Sequence, residues 1–117
     1  RDFNFVDDTC RGFIAIAESN KTIGEIINFG SNFEISIEDT LELIKELMNS
    51  NVKFIVDKQR IRPNRSEVFR LWCDNTKIEK ITSYKPQITI EEGLKKTIDW
   101  LLIPDHLKFY KSEIYNV

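Results

Sequence analysis

Apolar positions along the chain switch between a period of two and a period near 3.6. In "RDFNF", Phe3 and Phe5 alternate with polar neighbours, the pattern of a short strand with one covered face. Asp7, Asp8 and Thr9 follow with side-chain acceptors suited to a first helical turn, and Cys10, Phe13, Ile14 and Ala17 then fall at i, i+3, i+4 and i+7. This spacing predicts a helix from about Thr9 to Ser19. "SNKTIG" breaks the pattern, and "EIINFG" reads as a buried strand closed by Gly30 and Ser31. Ser36 predicts the cap of a second helix carrying Leu41, Ile44, Leu47 and Met48 on its apolar face and ending at Ser50 and Asn51. "VKFIVD" and "SEVFRLWCD" alternate, so each predicts a strand, the second with Phe69, Leu71 and Cys73 toward the core. A two-turn helix capped by Asp74 or Asn75 is expected before Pro86, and a third long helix from a Thr89 cap, with Glu91 and Glu92 at its positive end, to Pro104. Its inward positions are Leu94, Ile98, Leu101 and Leu102. The stretch 104–117 has no strong period and is expected to be a tail.

Composition narrows the class. At 117 residues, 41% hydrophobic and 31% charged, the chain suits one soluble globular domain, and no apolar run approaches the roughly 20 residues of a membrane helix. Cys10 and Cys73 lack metal-type spacing and no signal-peptide pattern opens the chain, so a reducing cytoplasm is expected. The chain opens at Arg1, with no methionine and inside an alternating stretch. It is expected to be a piece of a longer protein.

Seventeen basic residues face nineteen acidic ones, for a net charge of −2, which argues against a general nucleic-acid coat. Against that background Lys58, Arg60, Arg62 and Arg65 form a local basic cluster. Arg forks match phosphate oxygens bidentately, and Pro63 stiffens the backbone beside Arg62. A solvated edge paired with carboxylates is an equal reading of such a cluster. Glu67 is a candidate acceptor for vicinal hydroxyls, or one half of a salt bridge. Trp72 and Tyr84 could stack on a base, although aromatics at such junctions are more often core. His106 is the only histidine, which leaves no histidine metal cluster, and the four glycines form no phosphate-cradling loop.

Four stretches in order, "RDFNFVDDTCRGF", "GEIINFGSNFEISI", "RPNRSEVFRLWCDNTK" and "YKPQITIEEGLKKTIDWL", resemble the C-terminal part of the extended short-chain dehydrogenase/reductase family of nucleotide-sugar epimerases and dehydratases. Within it, "RP…SEV…DN.K" is most similar to NAD-dependent 4,6-dehydratases acting on UDP-N-acetylglucosamine-type substrates, with 4-epimerases as close neighbours. The resemblance implies an α/β fold: a C-terminal substrate-binding lobe over residues 1–103, of short strands and about three main helices, followed by the tail 104–117. It implies that Arg62 grips a pyrophosphate, Glu67 takes ribose hydroxyls, Arg1 is a second phosphate or substrate contact, and Asn28 lies near the pocket floor. Asp7 and Asp8 match the family's helix-capping "VDD" and are expected to be structural. The family's glycine-rich NAD loop and Tyr-x-x-x-Lys pair do not occur here: Tyr84, Tyr110 and Tyr115 are not followed by Lys at the fourth position. NAD and the catalytic pair would belong to a Rossmann half absent from this chain. The implied partners are a nucleotide-diphosphate sugar, that Rossmann domain and a second copy in a homodimer, with neither membrane nor nucleic acid.

Overall fold

The computed structural model describes residues 1–56, 68–108 and 110. Five helices are present among them: α1 (Val6–Glu18), α2 (Ile37–Leu47), α3 (Thr76–Ile81), α4 (Ile90–Leu101) and α5 (Pro104–Leu107), with a 3-10 turn at Asn20–Thr22. No helix among the described residues is long and apolar enough to cross a membrane.

The helices predicted from local signals form where their caps lie. Ser36 Oγ accepts from the Asp39 amide at 2.9 Å to start α2, and Thr89 with Glu92 closes a reciprocal capping box on α4. Asp74 and Asn75 divide their task. The Asp74 carboxylate accepts from the Thr76 amide at 2.9 Å, whereas the Asn75 side chain turns inward to Gly30. Helix α2 ends earlier than expected, with Met48 as its cap and Asn49 in the left-handed region at φ 47°. The tail holds α5, with Pro104 in its first turn. His106 is half-buried there, its ring stacked 4.1 Å from Trp100.

Helix α1 corrects the expected start at Thr9. It begins at Val6, and its cap position, Phe5, makes no side-chain bond. Asp7 and Asp8 therefore lie inside the helix, and Asp8 is fully buried with partners elsewhere.

The four expected strands are a second correction. None of Phe3–Phe5, "EIINFG", 52–56 or 68–74 is a strand among the described residues. A strand needs a ladder, and among the described residues the main-chain pairing between distant stretches is confined to one residue pair: the Arg1 nitrogen donates to the Ile35 carbonyl at 2.6 Å, and Ile35 donates back at 2.9 Å.

Packing centres on Gly30. Ile78 is fully buried and Tyr84 nearly so, and Phe29 meets Phe13 and Tyr84 edge-on with both centroids at 5.4 Å. Gly12 makes room for this stack, because a Cβ there would lie 2.3 Å from the Phe29 ring. The faces expected to be core are only partly covered: Leu94, Ile98 and Leu101 are half-buried, but Phe13, Ile14, Leu71 and Leu102 are more than half exposed and Phe69 is 85% exposed.

Candidate functional site

Three side chains join stretches that are far apart in sequence. Asp2 Oδ1 accepts from the Ser31 amide at 2.9 Å and from the Ser31 hydroxyl at 2.6 Å, while its Oδ2 accepts from the Cys73 amide at 3.2 Å. Asn75 grips the Gly30 residue from both sides: Oδ1 accepts from its amide and Nδ2 donates to its carbonyl, each at 2.9 Å. The Tyr84 hydroxyl donates to the same carbonyl at 3.3 Å. Gly30 lies so close that an added Cβ would stand 2.7 Å from Cys73 Cβ.

Asp8 makes the third joint. Its carboxylate accepts from the Gln87 amide at 3.0 Å and the Ile88 amide at 2.9 Å, fixing the approach to α4, and it pairs with Arg11. Sequence reasoning took Asp8 as a cap for its own helix and gave Asp2 no role. Apart from Arg11, three residues from Asp8, their partners are 29 to 80 residues away, so no local signal reports those joints.

Two open hollows are lined by parts of the joined stretches. One, of about 500 Å3, is lined by Arg1, Phe33, Glu34, Asp39, Phe69 and Arg70. The other, of about 670 Å3, is lined by Asn28, Phe29, Leu71, Trp72, Cys73 and Asp74. Arg1 and Asn28 are thus in different hollows, and the stretch 68–74 lines both, with Phe69 and Arg70 in the first and Leu71 to Asp74 in the second. Arg62 and Glu67, with Lys58, Arg60 and Arg65, lie outside the described residues.

Charge in the first hollow is partly paired. An Arg1 guanidinium nitrogen donates to the Val68 carbonyl. Arg70 forks onto Glu34, with Nε at 3.0 Å from Oε2 and a terminal nitrogen on Oε1. This hydrogen-bonded pairing holds the Glu34 carboxyl below the usual carboxylate range and raises the Arg70 guanidinium. In the second hollow Trp72 is 60% exposed, while Tyr84, the other candidate for base stacking, is buried. Burial, with Asp8 nearby, pushes the Tyr84 phenol up to about 12. Burial also raises the Cys73 thiol, with smaller contributions from Asp2 and Asp74, so it is a poor nucleophile at neutral pH.

Comparison with known proteins gives the same assignment from several directions. The family described as GDP-mannose 4,6 dehydratase matches residues 1–97. UDP-glucuronate 4-epimerase of Thermodesulfobacterium geofontis is 37% identical over 102 residues, covering 86% of this chain and 29% of the relative. The solved structure of an epimerase from Methanothermobacter thermautotrophicus superposes with a TM-score of 0.80 at 31% identity, over 92% of this chain and 31% of that one. A Bacillus cereus UDP-glucuronic acid 4-epimerase mutant, solved with UDP-4-deoxy-4-fluoro-glucuronic acid and NAD, gives a TM-score of 0.71 at 28% identity, over 94% of this chain and 32% of that one. The chain therefore spans about 30% of the length of these proteins. It belongs to the NAD-dependent epimerase/dehydratase family of extended short-chain dehydrogenases/reductases.

Proposed function

We propose that this chain is the substrate-binding lobe of an NAD-dependent nucleotide-sugar 4,6-dehydratase, covering residues 1–103 with a tail at 104–117, in a cytoplasmic, homodimeric enzyme. The observation that carries the reading is the joining of the four motif stretches around Gly30 and Asp8, with Arg1 and Asn28 in two hollows that share the stretch 68–74. Arg62 and Arg1 are assigned to the diphosphate, where a guanidinium fork matches paired phosphate oxygens. Glu67 is assigned to the ribose, because an ionised carboxylate accepts from two hydroxyls at once. Asn28, exposed at the second hollow, offers both a donor and an acceptor to a sugar.

A nicotinamide cofactor has no cradle among the described residues. Gly12 packs against Phe29, Gly93 against Phe5 and Gly30 against Cys73, while Gly24 stands in a turn at φ +75° with nothing near it. NAD and the Rossmann domain are accordingly assigned to a part of the enzyme outside these 117 residues.

A second reaction, 4-epimerisation, is favoured by the names of the relatives, since the UDP-glucuronate enzymes reported above are 4-epimerases. Incubating the full-length enzyme with UDP-N-acetylglucosamine separates the two. A 4-keto-6-deoxy product supports the dehydratase and a C4-inverted sugar the epimerase. Absence of both conversion and binding across UDP-sugars overturns the reading. Arg62→Ala in the same enzyme is expected to weaken nucleotide-sugar binding by about 1.5–3 kcal/mol, the scale of a charge-assisted contact. Unchanged affinity removes Arg62 from the site.

A further inference from the structure

The stretch from Val68 to Cys73 forms a wall shared by the two hollows, Phe69 and Arg70 lining the first and Leu71, Trp72 and Cys73 the second. Among the described residues, none of its amides or carbonyls pairs with another main-chain group. Burial does not hold it either, since Val68, Phe69, Leu71 and Trp72 are each about half exposed or more. Side chains from elsewhere secure it at three points: the Arg1 guanidinium on the Val68 carbonyl, the Arg70–Glu34 fork, and Asp2 on the Cys73 amide. The middle anchor is a bidentate pair, which fixes orientation as well as distance. Its carboxylate partner sits on a defined support, because Ile35 is paired with Arg1 and Ser36 caps α2.

We infer that Glu34 and Arg70 are a positioning pair that sets the wall shared by the Arg1 and Asn28 hollows and so orients a nucleoside-diphosphate sugar along it. The inference rests on the reading of the lobe as a nucleotide-sugar binder. Glu34 acts through Arg70 and touches no ligand itself. Arg70 presents the wall and is not a phosphate contact.

The test uses the full-length enzyme labelled with 5-fluorotryptophan, with the Trp72 resonance assigned by Trp72→Phe and UDP as the ligand probe. Glu34→Gln and Arg70→Gln are each expected to shift or broaden the Trp72 line. Each should weaken UDP binding by about two- to fivefold, the scale of one exposed ion pair, with the thermal midpoint and NAD affinity unchanged. The double variant should be no weaker than either single, and the charge-reversed pair Glu34→Arg with Arg70→Glu should recover most of the line shape and affinity. A Trp72 line indifferent to both single changes overturns the positioning role. So does UDP binding that weakens in Arg70→Gln but not in Glu34→Gln, which would make Arg70 a direct contact. The Trp72 response is read without ligand, so a wild-type enzyme whose line responds but which does not bind UDP overturns the nucleotide-sugar reading and leaves the brace standing.

Discussion

Removing the Asp8 carboxylate tests the longest-range joint in the lobe. Asp8 is fully buried, accepts from the Gln87 and Ile88 amides and pairs with Arg11, whose Nε is itself buried without a partner. Asp8→Ala leaves two amides without their acceptor and a guanidinium without its counter-charge. Hydrogen bonds to a charged group contribute about 1.5–3 kcal/mol each, and they are not additive around one carboxylate. The Arg11 side chain is 35% exposed and keeps access to water, so the two amides set the scale and Asp8→Ala is expected to cost about 1.5–3 kcal/mol. Asp8→Asn keeps one acceptor oxygen but turns an NH2 toward donors, so it should recover only a minor part. Urea denaturation of the wild type and both variants of the full-length enzyme, with the slope checked for constancy, measures the difference. A loss below about 1 kcal/mol in Asp8→Ala, the scale of an exposed pair, would refute the argument.

Three further outcomes follow from the packing around Gly30 and from the exposed faces. The Tyr84 phenol, raised from 10.0 to about 12, holds its proton more tightly in the folded protein than in the unfolded chain. Its contribution to stability is therefore complete below pH 10 and is lost as pH rises toward 12; denaturant midpoints that fall equally in Tyr84→Phe over that range would remove Tyr84 as the cause. Gly12→Ala places a methyl 2.3 Å from the Phe29 ring and should destabilise by about 1–3 kcal/mol, visible as a lower thermal midpoint; an unchanged midpoint contradicts the tight stack. The 117-residue chain by itself exposes Ile55 at 91%, Ile26 at 86%, Phe69 at 85% and Ile23 at 78%, so it should self-associate, and sedimentation as a monodisperse monomer with a sharp thermal transition would count against that.

Legibility divided along the range of the interactions. Helices α2 and α4 were readable because Ser36, Thr89 and Glu92 act within one turn of where they stand. The strands were not, because alternation in 68–74 records which side chains share a face but says nothing of a neighbouring ladder. Asp8 shows the same limit in a single residue. An acceptor at a helix start predicts a cap, but its donors are Gln87 and Ile88, at the approach to another helix. Of the residues assigned to the ligand by resemblance, Arg1 and Asn28 fall in two hollows, and the stretch 68–74, which lines both, relates the two.

The residues that make the family recognisable are mostly its joints. Asp2, Asp8, Gly30, Asn75 and Tyr84 come from the four stretches that carry the resemblance, and each is used to bind one stretch to another. A joint constrains the fold, and the same segments match both a 4,6-dehydratase family and a 4-epimerase. On the proposed reading, the choice of sugar falls to side chains that no joint uses. On the wall these are Phe69, Leu71 and Trp72, all at least half exposed and facing one hollow or the other. Substitutions there should alter which nucleotide sugar binds while leaving stability nearly unchanged, whereas substitutions at Asn75 should do the reverse. Measuring unfolding midpoints and UDP-sugar affinities side by side for Trp72→Ala and Asn75→Ala in the full-length enzyme distinguishes the two classes, and a Trp72→Ala enzyme with unchanged affinity for every sugar would remove the wall from specificity.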